Sequence, residues 1–284
     1  MKLKPRVILS LILTVIFGRV CEAQFYYSDL LSNQANNSHY QLLKKNKVSS
    51  IRGESYEATG EPTADFIFMQ TVNSSYSQVK TQTSAPLSGK SAMTNYYNSA
   101  GLLYRTTDSS DASFTQYDYR YDSLNRLVQI TSNSNVIGER TRVTETHDWS
   151  YDASGAPEKM FRIKDKSDTT VYLFKKDEEG KIIEEQSYHR NVAGEKTYYY
   201  YNDQQQLSDI VRFNDRVGKL LPDYFFNYNE QKQLAEMTTV QNGGSDYLIW
   251  KYLYNPDGLK KEEQCFNKLK KLVGRLVYVY EYRR

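Results

Sequence analysis

Aromatic, polar and apolar positions follow one another in a fixed order that recurs roughly every 25 residues from Tyr97 to the C-terminus. In six copies two rings stand two residues apart, as in Tyr119 and Tyr121, and this spacing places both on one face of a β-strand. A polar turn and an apolar residue come next. The first residue of each turn follows an anchor position, and the anchors are Tyr97, Tyr121, Tyr151, Lys176, Tyr201, Tyr228, Tyr254 and Tyr280. The pattern predicts one β-hairpin in each repeat.

The residues after each anchor are typical of a tight turn. Asp122 follows Tyr121 and Asn125 comes three residues later, and most other copies carry Asp or Asn first and Gly in the later position. An Asp or Asn side chain caps the backbone of a type I turn, whereas Gly or Asn tolerates the left-handed backbone that closes it. The spacing therefore predicts a hairpin turn at this place in every repeat.

The apolar residues beyond the turn are three apart, as in Leu127 and Ile130 or Leu207 and Ile210. Strict alternation in a strand requires an even spacing. We therefore expect either a β-bulge between the two residues or a change of the buried face, because one extra residue reverses the side-chain pattern.

Together these patterns predict an all-β chain built as an array of antiparallel β-hairpin repeats, forming an open twisted meander or a solenoid. The expected divisions are a signal peptide over residues 1–23, a polar segment over residues 24–90 and the repeat domain over residues 91–284. The polar segment contains one strong strand signal, at residues 66–69, and a degenerate repeat that begins at Tyr56.

The N-terminus has the order of an export signal: basic Lys2, Lys4 and Arg6, an apolar run, and small residues before Gln24. The chain has 37 basic and 34 acidic residues, and removing residues 1–23 takes away four of the former and one of the latter, which leaves 33 of each. A mature chain of zero net charge has no global attraction for nucleic acid. We expect an exported protein in the periplasm, at the cell surface or outside the cell, with no nucleic-acid partner and no membrane span after cleavage.

Few residues suggest chemistry. The three histidines, His39, His147 and His189, lie far apart, and none has a second histidine or cysteine at metal-ligand spacing. Cys265 remains the sole cysteine after cleavage, and its neighbourhood predicts a buried thiol. Five aspartates fall at turn-equivalent or exposed strand positions, where turn capping explains them without chemistry: Asp118, Asp122, Asp152, Asp177 and Asp203. We expect no catalytic residues, no metal and no cofactor.

The sequence around Tyr119-Arg120-Tyr121-Asp122-Ser123-Leu124-Asn125-Arg126-Leu127 resembles the tyrosine–aspartate (YD) repeat of the rearrangement-hotspot (RHS) family, whose core reads Tyr-x-Tyr-Asp-x-x-Gly-Arg-Leu. The resemblance implies an exported antiparallel β protein acting at cell surfaces, in adhesion or as a shell. Asn125 stands where the family has Gly. The chain also resembles small secreted repeat proteins of gut Bacteroidetes in composition.

The 26 tyrosines have two interpretations: they form the core between repeats, or one ring per repeat contributes to a sugar-binding surface. The aromatics expected to face a ligand are Tyr119, Tyr199, Tyr200 and Tyr252. The sequence thus predicts non-catalytic binding or scaffolding at the envelope, with a glycan, an envelope polymer or a surface protein as partner. A hydrolase of surface or extracellular polysaccharide is the alternative, and it would need two carboxylates converging in a cleft.

Overall fold

The computed structural model describes residues 25–86, 88–139, 142–214, 218–241 and 246–284, and the predicted signal peptide lies outside these residues. In the described part the chain forms a helix, α1 (Ser28–Lys45), followed by 18 strands. The strands are β1 (Val48–Glu57), β2 (Ile67–Val72), β3 (Gln78–Ala85), β4 (Gly89–Tyr97), β5 (Leu103–Ser110), β6 (Ser113–Tyr121), β7 (Leu127–Val136), β8 (Arg142–Tyr151), β9 (Pro157–Lys164), β10 (Asp168–Lys176), β11 (Ile182–His189), β12 (Val192–Tyr201), β13 (Leu207–Asn214), β14 (Lys219–Tyr228), β15 (Leu234–Gln241), β16 (Asp246–Tyr254), β17 (Lys260–Asn267) and β18 (Leu272–Tyr282).

Every strand pairs antiparallel with its neighbours in the chain, and β18 also pairs with β1, so the sheet closes into an 18-stranded barrel. At this seam Ile51 lies opposite Tyr280 and Gly53 lies opposite Tyr278. The hairpins agree with the sequence pattern, but the predicted open meander or solenoid is wrong. The reason is that the polar segment, where we expected one strong strand, supplies α1, β1, β2 and β3, and β1 removes the free edge that an open array would have.

The turns after the anchors have the predicted geometry. In the copy after Tyr121, the N–H of Asn125 donates to the carbonyl of Asp122, and the Asp122 side chain accepts from the N–H groups of Leu124 and Arg126. The closing residue has positive φ at the equivalent place in all seven turns: Gly101, Asn125, Gly155, Gly180, Gln205, Lys232 and Gly258. These turns all lie at one end of the barrel, which we call the turn end.

A β-bulge follows each turn and explains the odd spacing of the apolar residues. Tyr121 pairs with Leu127 and Arg120 pairs with Gln129, which leaves Val128 as the extra residue. Leu127 and Ile130 therefore both point inward and are buried. The same shift occurs after the other six turns. Of the two alternatives that the sequence left open, the structure contains the bulge.

Anchor tyrosines join neighbouring hairpins through their hydroxyl groups. The hydroxyl of Tyr201 donates to the carbonyl of Ile182 at 2.8 Å, beyond the last backbone pair between β11 and β12. Five further anchors make the equivalent bond at 2.6–2.8 Å. In each case the acceptor is the carbonyl of the first residue in the second strand of the preceding hairpin, and the donors are Tyr121, Tyr151, Tyr228, Tyr254 and Tyr280. Each bond satisfies a carbonyl at a bulge, where the regular pairing stops.

Candidate functional site

The turn end of the barrel is filled by α1 and the three residues before it, which together we call the plug (residues 25–45). Phe25 packs edge-on against Tyr199 and Tyr224 with ring centroids 6.1 and 5.8 Å apart, and Tyr26 packs against Tyr172 at 4.3 Å. These rings belong to a core cluster inside β8–β14. The plug thus supplies the apolar contacts that the barrel wall cannot make across its own opening.

A buried carboxylate holds the start of the plug. Glu185 accepts the backbone N–H groups of Tyr26 at 2.9 Å and Tyr27 at 3.0 Å, and the hydroxyl of Tyr199 at 2.7 Å. Burial raises the pKa of Glu185, although these three donors oppose the rise. Glu185 occupies the inward position that is apolar in neighbouring repeats, at Ile130, Met160 and Ile210 among others. The equivalent position is also polar at Thr106 and Glu263, so a glutamate there does not by itself identify a contact with the plug.

A second contact to the plug is ionic, and we call it the latch (Asp29, Glu145, His147 and Arg162). His147 lies between two carboxylates, 2.7 Å from Asp29 on the helix and 2.9 Å from Glu145. Arg162 lies 2.7 Å from the second oxygen of Glu145. The side chain of His147 is largely buried, with 14% of its surface exposed.

Charge pairing sets the protonation of the latch. Burial opposes the charged form of His147, but Asp29 and Glu145 outweigh it and raise the pKa of the imidazole to about 9. Burial likewise opposes ionisation of Glu145, yet the hydrogen bonds from His147 and Arg162 lower its pKa to about 2. His147 is therefore charged at neutral pH, and the latch is a paired ionic contact between helix and wall.

The rest of α1 crosses the opening. The Asn33 amide donates to the hydroxyl of Tyr121 at 2.7 Å, and Tyr40 stacks on Tyr97 at 4.0 Å. Leu42 lies against Gly258, and directly after the helix the Asn46 amide donates to the carbonyl of Asp257 at 3.3 Å. Gly101 lies so close to the helix that a Cβ there would overlap the Gln41 amide, and its φ of +77° is also a glycine conformation. The plug therefore touches the wall from β8 and β11 to the turn between β16 and β17.

The four aromatics expected to face a ligand do not share one surface. Tyr119, Tyr199 and Tyr252 lie two residues before their anchors and point into the barrel, and Tyr199 is 2% exposed. Tyr200 points outward and is 47% exposed. Of this set, Tyr200 is the ring that an external ligand can reach.

Tyr200 borders a shallow open depression of about 440 Å³ on the outer wall at the turn end, which we call the Tyr200 notch. It is lined by residues 177–179, Ile183, residues 199–202 and Gln205. The walls are two adjacent turns, which Lys181 bridges through its ammonium group and the carbonyl of Gln205, 2.6 Å apart. The notch combines an exposed ring and an exposed aliphatic side chain with carboxylate and amide groups.

The described ranges contain no group of three or more His, Cys, Asp or Glu side chains arranged to hold a metal ion. Cys265 is buried in a cluster with Trp250 and Leu276, and burial raises the pKa of its thiol to about 12. A buried structural thiol is what the sequence predicted.

Solved structures match this chain with low sequence identity and low TM-scores. A porin-like protein from Bacteroides uniformis superposes with a TM-score of 0.40 and 8% identity, over 82% of this chain and 98% of that one. The TcdB2-TccC3 structure has a TM-score of 0.35 and 12% identity, and this chain covers 12% of its length. A protein with a YmcC-like fold from Bacteroides fragilis has a TM-score of 0.19 and 10% identity, over 82% and 95% of the two chains. No protein-family profile matches the chain. No curated protein matches it in sequence.

In the part of the chain that the structure describes, no helix is both long enough and apolar enough to cross a bilayer.

Proposed function

We propose that this is an exported, non-catalytic protein that binds an envelope or extracellular polymer on the outer wall of its barrel. The observation that carries the proposal is Tyr200, an aromatic ring that is 47% exposed in a notch lined by carboxylate and amide groups. A sugar ring offers an apolar face and a rim of hydroxyl groups. An exposed tyrosine bordered by polar side chains complements both features.

The position of the plug favours a ligand-binding site on the outer wall over one inside the barrel at the turn end. Residues 25–45 occupy the opening, and they are held by Glu185 and by the latch. A ligand entering from the turn end would have to displace these contacts. The outer wall is accessible without any rearrangement.

Ion pairs on the outer wall support contact with water at these parts of the barrel. Arg105 pairs with Asp118 on one side of the barrel at 2.6 Å, and Glu184 lies between two lysines on the other side. Barrels that cross membranes present an apolar band to lipid instead. We expect the exported protein to fractionate without detergent, and recovery only in detergent would contradict this part of the proposal.

Export itself rests on the sequence of residues 1–23. Mass spectrometry of the protein recovered from the cell envelope or the medium should give an N-terminus at Gln24. An intact Met1 on a membrane-bound species would instead show that the segment is a retained anchor.

A binding screen tests the proposed activity. The mature protein is passed over immobilised glycans and envelope polymers, and its affinity is compared with that of Tyr200→Ala. Tyr104→Ala is the matched control, because Tyr104 is 41% exposed on a distant part of the outer wall. We expect Tyr200→Ala to lose binding and Tyr104→Ala to retain it.

The same screen separates binding from hydrolysis and from protein recognition. Reducing ends released from a bound polymer would favour the hydrolase alternative. Binding to a surface protein with no affinity for any polymer would replace the polymer as the partner, and equal loss in both variants would remove Tyr200 from the site.

A further inference from the structure

Strand pairing places Tyr200 at the start of a line of residues that crosses the outer wall. Tyr200 lies opposite Asp209, and Asp209 lies opposite Phe225. The line continues through Thr238, Ile249 and Phe266 on the next three strands. Directly paired residues share one face of a sheet, so all six side chains point outward. We call this line the transverse row.

The transverse row alternates in chemistry from β12 to β16. Rings or an aliphatic side chain stand on β12, β14 and β16, at Tyr200, Phe225 and Ile249, whereas β13 and β15 contribute the hydrogen-bonding Asp209 and Thr238. The alternation ends at β17, where Phe266 lies directly beside Ile249. Neighbouring strands are about 4.8 Å apart, so the apolar platforms repeat at roughly 9.6 Å. This repeat is close to the length of a disaccharide in an extended β-linked chain.

A polar line borders the transverse row on its turn-end side. Asn227 lies opposite Glu236, Glu236 opposite Lys251, and Lys251 opposite Gln264. The ammonium group of Lys251 is 3.6 Å from Glu236 and lies 5.5 Å from the centre of the Phe266 ring. These side chains offer both donors and acceptors beside the apolar platforms.

We propose that the transverse row binds an extended β-linked polysaccharide that lies across the strands, with alternate sugar rings on Tyr200 and Phe225. The proposal rests on the function proposed above and defines its ligand class and orientation. Asp209 and Thr238 face the hydroxyl groups of the intervening sugars, and the polar line contacts the edge of the chain. The polymer runs from the Tyr200 notch toward β17.

The surface favours a polysaccharide over a second copy of the protein. A protein interface is built on a contiguous apolar centre. From β12 to β16, every second strand interrupts the apolar side chains with a polar one that must keep a hydrogen-bonding partner, and the one adjacent apolar pair of the row is Ile249 and Phe266. A chain of sugars supplies hydroxyl groups at those places, so the alternation is satisfied along its length.

Isothermal titration with cello-oligosaccharides and chito-oligosaccharides, from the disaccharide to the hexasaccharide, tests the proposal. Affinity for one series should rise with length until the chain spans Tyr200, Phe225 and Ile249, and should then level off. Phe225→Ala should weaken binding of the hexasaccharide by roughly tenfold while changing disaccharide binding much less. Phe114→Ala is the matched control, because both phenylalanines are 39% exposed and Phe114 lies on β6.

The outcomes separate this inference from the proposed function. If Tyr200→Ala weakens polymer binding but Phe225→Ala behaves like Phe114→Ala, the polymer binds at the Tyr200 notch, and the proposal that it lies along the transverse row is wrong. If neither oligosaccharide series binds, the β-linked ligand is wrong, whatever other polymer the screen identifies. If light scattering shows a dimer that Phe225→Ala dissociates, the row is an interface between copies. Circular dichroism of each variant confirms that the barrel is folded.

Discussion

The latch predicts a loss of stability in alkaline solution that is carried by His147. The side chain is charged between Asp29 on the plug and Glu145 on the wall, with Arg162 on the far side of Glu145 and the phenol rings of Tyr26 and Tyr172 nearby. Its pKa is raised from 6.5 to about 9. The stabilisation is therefore fully present below a pH of about 6.5 and disappears as the pH rises through about 9.

The size of the effect follows from the shift. A rise from 6.5 to about 9 corresponds to at most about 3 kcal/mol of folding free energy. We expect the free energy of unfolding to fall by up to about 1.4 kcal/mol for each pH unit across this range. This loss is large relative to a typical total of about 5–15 kcal/mol.

Urea unfolding at a series of pH values, followed by tryptophan fluorescence, provides the assay. Trp149 is buried, and its indole N–H lies 3.3 Å from Asp29, so its emission reports the plug. His147→Gln should be less stable than the wild type near pH 6 and should lack the alkaline slope. His189→Gln is the control, since His189 is exposed and 3.7 Å from Asp168. A wild-type slope that persists in His147→Gln would refute the assignment.

Three further predictions concern other contacts. Tyr201→Phe removes the hydroxyl bond to Ile182 and should cost about 1 kcal/mol, whereas Tyr201→Ala also removes a partly buried ring and should cost more, though less than the roughly 3–5 kcal/mol of a fully buried one, both measured by urea unfolding; a Tyr201→Ala protein of wild-type stability would contradict its role in the core. Glu185→Gln places an amide donor among three donors and should increase trypsin cleavage at Lys44 and Lys45, and unchanged cleavage would show that Glu185 does not hold the plug. Cys265 should react with a thiol reagent only after unfolding, and a fast reaction in the native protein would contradict its burial.

The local structure of the repeats could be predicted because each feature depends on residues close in sequence. Turn capping by Asp122, the left-handed conformation of Asn125 and the bulge between Leu127 and Ile130 all follow from side chains within ten positions. The inward pairing of rings such as Tyr119 and Tyr121 follows from the two-residue period. Such signals need no knowledge of the distant parts of the chain.

Closure and the plug could not be predicted in this way. Pairing of β1 with β18 joins Ile51 to Tyr280, more than 200 residues away, and the degenerate repeat that begins at Tyr56 does not indicate which strand is the partner. The helix was missed because its buried side chains, Asn33, Tyr40 and Leu43, are few and one of them is polar. Its contacts depend on partners such as Glu185 and His147, whose importance becomes evident once the barrel is closed. Tyr200 and Phe225 likewise become neighbours only through strand register.

The plug also restricts how this chain could have grown or shrunk by duplication. Adding or deleting a hairpin in a closed sheet changes the circumference, whereas α1 has a fixed length of about 27 Å. Asp29 near its start contacts His147, and Asn46 directly after its end contacts Asp257, on well-separated parts of the wall. A copy with one hairpin more would lose one of these contacts unless the helix changed in step. Repeat number and helix length are therefore expected to vary together among descendants of this gene.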